Sequence, residues 1–313
     1  MKSKLKFSII VPCFNAGQTL HYCLESVVQQ TYENFELIAV NDGSSDDTPE
    51  ILDDFAKKIP GMTILHQKNK GLGESRNAAL GLATGEYVLF LDADDFWCPS
   101  KLEQIFESLQ SIDCDLLCHN EWAVIPFEKK FKKLRVLQHG PFKSFENLLI
   151  YGNSLSPSAV AVKLSVIKSV GFFSTDKKLH GCEDWDLWIK LAENGAKFEY
   201  VDKVLGSYVL HENNMSNEGT FYERSYHVFQ SAAGRGSKNG VQKNKIDAAR
   251  QFILIQLRWK VFLRELSLCN LSALFVSFIS TLWCPFFWKV LSVRALKRYG
   301  FLSNSKIQWL TGI

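Results

Sequence analysis

The sequence predicts an α/β chain built on a doubly wound, mostly parallel sheet, with a helical extension at its C-terminal end. Three observations carry that expectation. Short, near-continuous apolar runs alternate with amphipathic stretches from residue 7 to about residue 118, as expected of strands covered on both faces and joined by crossover helices. Several of those runs end in acidic loops. The charge is also unevenly spread: residues 1–219 carry 22 Lys and Arg against 30 Asp and Glu, whereas residues 220–313 carry 14 against 3. A boundary near residue 219 follows, with one unit over 1–219, divided into halves 1–118 and 119–219, and a basic amphipathic tail over 220–313.

Strands are expected at residues 7–11, 35–40, 62–65, 87–91 and 115–118, and helices at about 18–30, 48–58, 72–83 and 99–110. Thr48 reads as the N-cap of the second helix, with Pro49 at its first position and Glu50 in its first turn. Gly85 reads as a left-handed cap that closes the third. Residues 120–180 look less regular and hold a basic cluster at 129–135. Residues 181–195 read as another helix, and a helical pattern resumes near 220, interrupted around Gly234, Gly236 and Gly240.

Composition excludes several classes. Of the 313 residues, 46% are hydrophobic and 22% charged, enough for a full core and too apolar for a disordered chain. Eight cysteines without paired CxxC spacing argue against a disulfide scaffold or structural zinc, and for a reducing compartment. The apolar run at 7–11 is too short for a secretion signal and is broken by Pro12, so it reads as a buried strand of a cytoplasmic chain. Residues 271–288 carry no charge, have cations on both flanks and include Trp283 and Trp288. That segment reads as lying in an anionic membrane surface, with a buried helical subdomain and a short span as alternatives. Nucleic acid is not an expected partner.

The chemistry concentrates in loops. Ligands of open α/β sheets bind beyond the carboxyl ends of the strands, and there stand Pro12-Cys13-Phe14-Asn15, Asn41-Asp42-Gly43-Ser44-Ser45-Asp46-Asp47 and Asp92-Ala93-Asp94-Asp95. Carboxylates beside buried strands are costly unless paired, hydrogen-bonded or metal-bound. Asp92 and Asp94, two apart in extended backbone, would place their carboxylates on one side, about 6–7 Å apart at Cα. Such a pair suits Mn²⁺ or Mg²⁺ shared with phosphate oxygens.

Together with Asn69-Lys70-Gly71-Leu72-Gly73-Glu74-Ser75-Arg76-Asn77, these segments stand in the order and spacing of the family 2 glycosyltransferases, which the chain resembles over roughly residues 5–216. Glu183-Asp184-Trp185-Asp186-Leu187-Trp188 resembles that family's catalytic-base region, and Tyr208 with His211 a later metal-site element. The resemblance implies the GT-A fold and inverting transfer of a sugar from a nucleotide-diphosphate sugar, a UDP-sugar favoured. The acceptor it implies is a cell-surface glycan or lipid-linked molecule at the inner face of the plasma membrane. Pro12, Phe14, Asn15 and Asp42 would then shape the nucleotide pocket, Gly71 and Gly73 allow close backbone approach, and Arg76 meet the pyrophosphate. Asp92 would contact the ribose or metal-bound water, and Asp94 and His211 ligate the cation. Asp184, with Glu183 competing, would be the general base, and Trp185 a floor under the acceptor. Val209 stands where relatives often carry a basic residue. The alternatives are a sugar-phosphate nucleotidyltransferase, whose Gly-rich basic loop is replaced here by residues 12–15, and a non-catalytic glycan-binding relative.

Overall fold

The computed structural model describes residues 5–127, 130–139, 144–212, 214–217, 220–236 and 238–267. The chain divides into two compact units, residues 1–216 and 217–313. Residues 271–288 lie outside the described part.

In the first unit the expected alternation is present. β1 (Phe7–Cys13), α1 (Leu20–Val28), β2 (Phe35–Asn41), α2 (Thr48–Ala56), β3 (Met62–His66), α3 (Leu72–Leu82) and β4 (Tyr87–Phe90) follow one another, then β5 (Phe96–Trp97) and α4 (Lys101–Ser111). Strands β3, β2, β1 and β4 lie side by side and parallel. Every β1 residue is buried, because helices cover both faces. Phe7, Ile9, Val11 and Cys13 join Leu20 and Leu24 of α1, Leu52 and Phe55 of α2, and Leu102 and Ile105 of α4 in one core, while α3 packs on β1 and β2. Each such aliphatic or phenyl side chain contributes roughly 1.5–3 kcal/mol when fully buried.

Residues 120–180, expected to be less regular, hold regular elements in their described part. β6 (Leu116–Phe127) and β7 (Lys130–Leu137) form a hairpin, followed by α5 (Phe145–Tyr151), β8 (Val160–Lys163), α6 (Leu164–Val170), α7 (Glu183–Glu193) and β9 (Phe198–Val209). The sheet continues from β4 through β8, β6 and β9 to β5. β8 is antiparallel to both β4 and β6, and β9 is parallel to β6. Two reversals restore direction, so β4, β6 and β9 point the same way. Their carboxyl ends share one edge with those of β1 and β2. Among the described residues β7 pairs with β6 alone. The second unit holds α8 (Phe221–Gly236) and α9 (Lys243–Ser267). Gly234 and Gly236 lie within α8, and the break in the described chain includes residues 238–242. No described helix is long and apolar enough to cross a membrane.

Two local expectations are corrected. Asp47, not Thr48, is the N-cap of α2; the Thr48 hydroxyl donates to Asp46 Oδ1 at 2.6 Å and accepts the Ala16 N–H at 2.9 Å. It ties two loops together instead of capping a helix. Gly85 is not left-handed, and α3 ends at an extended Ala83. Gly85 is needed because a Cβ there would lie 2.6 Å from the Ser8 nitrogen and 2.7 Å from the Phe7 carbonyl carbon, neither of which can give way. Gly85→Ala is expected to cost about 1–3 kcal/mol by overpacking, read by urea unfolding. Gly81→Ala, in open space on α3, is expected to be neutral or slightly stabilising.

Candidate active site

β1 runs into an exposed turn whose conformation needs a tolerant residue. Asn15 is left-handed at φ 48, a region asparagine enters at low cost. Its N–H donates to Ser44 Oγ at 3.0 Å and its Oδ1 accepts the Ser45 N–H at 2.9 Å, while the Gly17 N–H donates to Asp46 Oδ2 at 2.9 Å. The loops after β1 and β2 are thereby stitched together. Pro12 is buried within β1, and Phe14, 52% exposed, presents an aromatic face at the rim.

Asp42 behaves differently from the expectation. It is buried, and its carboxylate accepts from Gln67 Nε2 at 2.7 Å and from the Lys70 and Gly71 N–H groups, each at 2.9 Å. Both oxygens therefore help hold the loop into α3, with three donors on a carboxylate that has about four acceptor sites. Gly71 supplies the positive φ of 95° that turns this loop into the helix. At Gly73 a Cβ would collide with the Ser174 carbonyl oxygen, so the close approach there is to the protein's own backbone.

Arg76 is also relocated. Only 2% exposed, it cannot reach out to a pyrophosphate as a surface fork. Its Nη2 donates to Asp92 Oδ1 at 2.6 Å, and its guanidinium lies 5.2 Å from the centre of the Phe173 ring. Glu183 and Asp184 act on it electrostatically as well. Burial pushes Asp92 above the usual carboxylate range, although Arg76 pulls it back.

Residues 92–95 form a tight turn, the Asp95 N–H donating to the Asp92 carbonyl at 2.9 Å, and not the extended stretch expected. The turn is held from below. Ser158 Oγ accepts the Asp92 N–H at 3.1 Å, and the Ser158 carbonyl accepts from Trp97 Nε1 at 3.0 Å and from buried Lys101 Nζ at 2.6 Å. Burial lowers that ammonium to a pKa of about 7. Asp95 Oδ1 accepts the Val209 N–H at 2.9 Å, which brings the end of β9 against the turn. Two residues on, His211 Nε2 lies 2.8 Å from Asp94 Oδ2. The Asp94 hydrogen bond raises the His211 pKa. Asn214 Oδ1 fixes His211 by accepting its N–H at 2.7 Å.

Asp94 and His211 therefore offer one oxygen and one nitrogen donor already side by side, a set that fits Mn²⁺ and, less well in its imidazole, Mg²⁺. A cation entering here must displace a proton, so its affinity rises with pH. Asp92 is committed to Arg76 and is the weaker candidate ligand. Among the described residues no group of three His, Cys, Asp or Glu side chains forms a closed cage.

α7 carries the two competing carboxylates. Gly181 and Gly195, left-handed at φ 78 each, bracket it. Glu183 is buried, with Oε2 accepting the Gly181 N–H at 2.8 Å and Oε1 lying 3.3 Å from His180 Nδ1. Asp184 is half-buried, accepts from Asn153 Nδ2 at 2.7 Å, and is raised by burial to a pKa of about 6. Its greater exposure favours it over Glu183. Trp185 is corrected: it is 4% exposed and its Nε1 donates to the Leu148 carbonyl at 3.1 Å. The indole pins α7 to α5 and leaves no open face for an acceptor.

The structure thus brings Arg76, Asp92, Glu183 and Asp184 into one electrostatic cluster, with Asp94 on the adjoining turn and His211, just past β9, beside it. Phe14 and Asn15 sit at the rim of the same sheet edge, and Asp42, Gly71 and Trp185 support it from within. Ser158 and Asn153 were missed. A serine or asparagine in an irregular stretch carries no periodic or motif signal.

Residues 8–159 match the family described as Glycosyl transferase family 2. The chain is 31% identical over 212 residues, 67% of this chain and 79% of its relative, to the UDP-Glc:alpha-D-GlcNAc-diphosphoundecaprenol beta-1,3-glucosyltransferase WfaP of Escherichia coli. It spans little more than a third, 36% and 38%, of two other curated relatives that it matches. Staphylococcus aureus TarS 1–349 in complex with UDP-GlcNAc superposes with a TM-score of 0.59 at 19% identity, over 95% of this chain and 92% of that one. The Pyrobaculum calidifontis mannosyltransferase PcManGT, in complex with GDP-Man and Mn²⁺, gives 0.59 at 18% identity, over 99% and 84%. The fold is the GT-A glycosyltransferase fold, and the chain belongs to the family 2 glycosyltransferases.

Proposed function

We propose that the chain transfers a sugar, with inversion, from a nucleotide-diphosphate sugar to a hydroxyl of a cell-surface glycan or lipid-linked acceptor, a UDP-sugar being the favoured donor. One observation carries the reading. A carboxylate of raised basicity, Asp184, shares a cluster with the turn that presents Asp94 to His211. Asp184 takes the proton of the acceptor hydroxyl as that oxygen attacks the anomeric carbon, and the nucleoside diphosphate departs on the opposite side. Asp94 and His211 would hold Mn²⁺ or Mg²⁺, with Asp92 beside them; a bound cation offsets the charge that develops on the departing diphosphate. Arg76 fixes Asp92 and adds positive potential. The names of WfaP and of the TarS complex, with UDP-Glc and UDP-GlcNAc, support a uridine donor, and WfaP's name supports a lipid-linked acceptor. The basic tail would place the enzyme peripherally at the cytoplasmic face of the plasma membrane.

Asp94→Ala is expected to weaken Mn²⁺-dependent UDP binding at least tenfold, about 1.4 kcal/mol, in calorimetry. EDTA should bring the wild type to the same level, and unchanged affinity removes the cation site. Asp184→Asn is expected to keep donor binding and lose about 10²–10⁴-fold in transfer, measured with radiolabelled UDP-sugars and membranes. Wild-type transfer should fall about tenfold per unit below pH 6, because only the ionised carboxylate can accept a proton. Substantial turnover in the Asn variant moves the base to Glu183. Deleting residues 265–313 should shift the protein from the membrane pellet to the supernatant; continued pelleting removes the anchoring role.

A further inference from the structure

Between α5 and the single turn at Pro157–Ala159 the chain passes through a short segment whose first side chain reaches Asp184. Gly152, left-handed at φ 80, ends α5 and redirects the backbone. Asn153 then donates from Nδ2 to Asp184 Oδ2 at 2.7 Å. Its amide cannot be reversed. Oδ1 accepts the Leu155 N–H at 3.1 Å in a local turn, and a carboxylate has only acceptors to offer an amide oxygen. Asn153 is itself exposed, so packing does not explain its orientation.

The next residue is anchored from the sheet. The Ser154 carbonyl accepts from His139 Nδ1 at 2.7 Å, which places the proton on that ring nitrogen. His139 Nε2 lies 2.8 Å from Oε2 of Glu121, a fully buried residue of β6. A continuous line of contacts therefore runs from β6 through Glu121, His139 and the Ser154 backbone to Asn153 and Asp184. The other groups acting on this carboxylate are Arg76 of α3, Glu183 of α7 and the Trp185 N–H.

We propose that Asn153 is the positioning residue of Asp184, an amide braced by His139 and Glu121 that sets the direction of the carboxylate toward the acceptor hydroxyl. The inference deepens the reading of Asp184 as the base and rests on it. Because the amide hydrogen-bonds the charged form, it also favours ionisation; its loss raises the pKa of Asp184.

The full chain labelled with [γ-¹³C]aspartate tests this. The Asp184 signal is assigned by its absence in D184N and titrated by NMR in the wild type, N153A and N153Q. The midpoint is expected to rise by about one unit in N153A and to return part of the way in N153Q, with the remaining spectrum that of a folded protein. UDP release from UDP-glucose or UDP-N-acetylglucosamine with Mn²⁺ is followed in parallel. In N153A its kcat should fall about fivefold further at pH 6 than above pH 8, where the smaller loss from misdirection alone remains, at unchanged KM for the donor. An unmoved midpoint in folded N153A overturns the proposal, as does a loss of turnover equal at every pH. A midpoint that moves without the acid limb of turnover upholds the hold on Asp184 and overturns its role as the base.

Discussion

A guanidinium removed from water governs the arrangement of the site. Taking Arg76 into the interior costs several kcal/mol unless opposite charge meets it there. Asp92 does so at 2.6 Å, while Glu183 and Asp184 add longer-range compensation and the Phe173 ring covers one face. The acidic turn after β4 and the start of α7 must therefore converge on α3. The helix is in turn held in register by Asp42 at its entrance and by Asn77, whose side chain exchanges two 3.0 Å hydrogen bonds with the Phe173 backbone. Without Arg76, three carboxylates would share a poorly solvated space with no cation to reconcile them.

The parallel half of the sheet was legible because each strand is covered on both faces and reads as an unbroken apolar run. Asp94 and His211, 117 positions apart, were legible as partners only through the order of linked segments, since nothing local connects them. Exposure was not legible. Arg76, Asp42 and Trp185 were each expected to face a ligand, yet each is turned inward, because polarity and aromaticity are alike compatible with a ligand and with a buried partner. Gly85 looked like a helix cap, and its real constraint is the backbone of β1 seventy-seven positions away. The hairpin of β6 and β7 escaped notice because its outer strand is basic and lacks a clean apolar alternation.

Beneath the acidic turn lies a polar layer that a simple hydrophobic core would not need. Lys101, Asp95, Glu121 and Ser158 are all buried, and Ser158 alone serves Asp92, Trp97 and Lys101. Such a layer is costly to assemble, and the hydrogen bonds it makes leave its members few alternative positions. It gives a two-residue strand, β5, and a four-residue turn a definite position relative to β9, and so brings the two candidate cation ligands within bonding distance of each other before any cation arrives.

The unshared side of β7 has a consequence for the molecule among its own copies. A bare strand edge invites another chain to continue the sheet. Here Lys130, Lys132 and Lys133 stand exposed along it, while Phe131 turns away to stack on Phe96 at 4.7 Å and on Tyr22 at 5.2 Å. Two molecules meeting edge to edge would set ammonium against ammonium. The margin next to the acidic turn is thus protected against fibrous self-association by repulsion, at no expense to the packing of the aromatic side chain behind it.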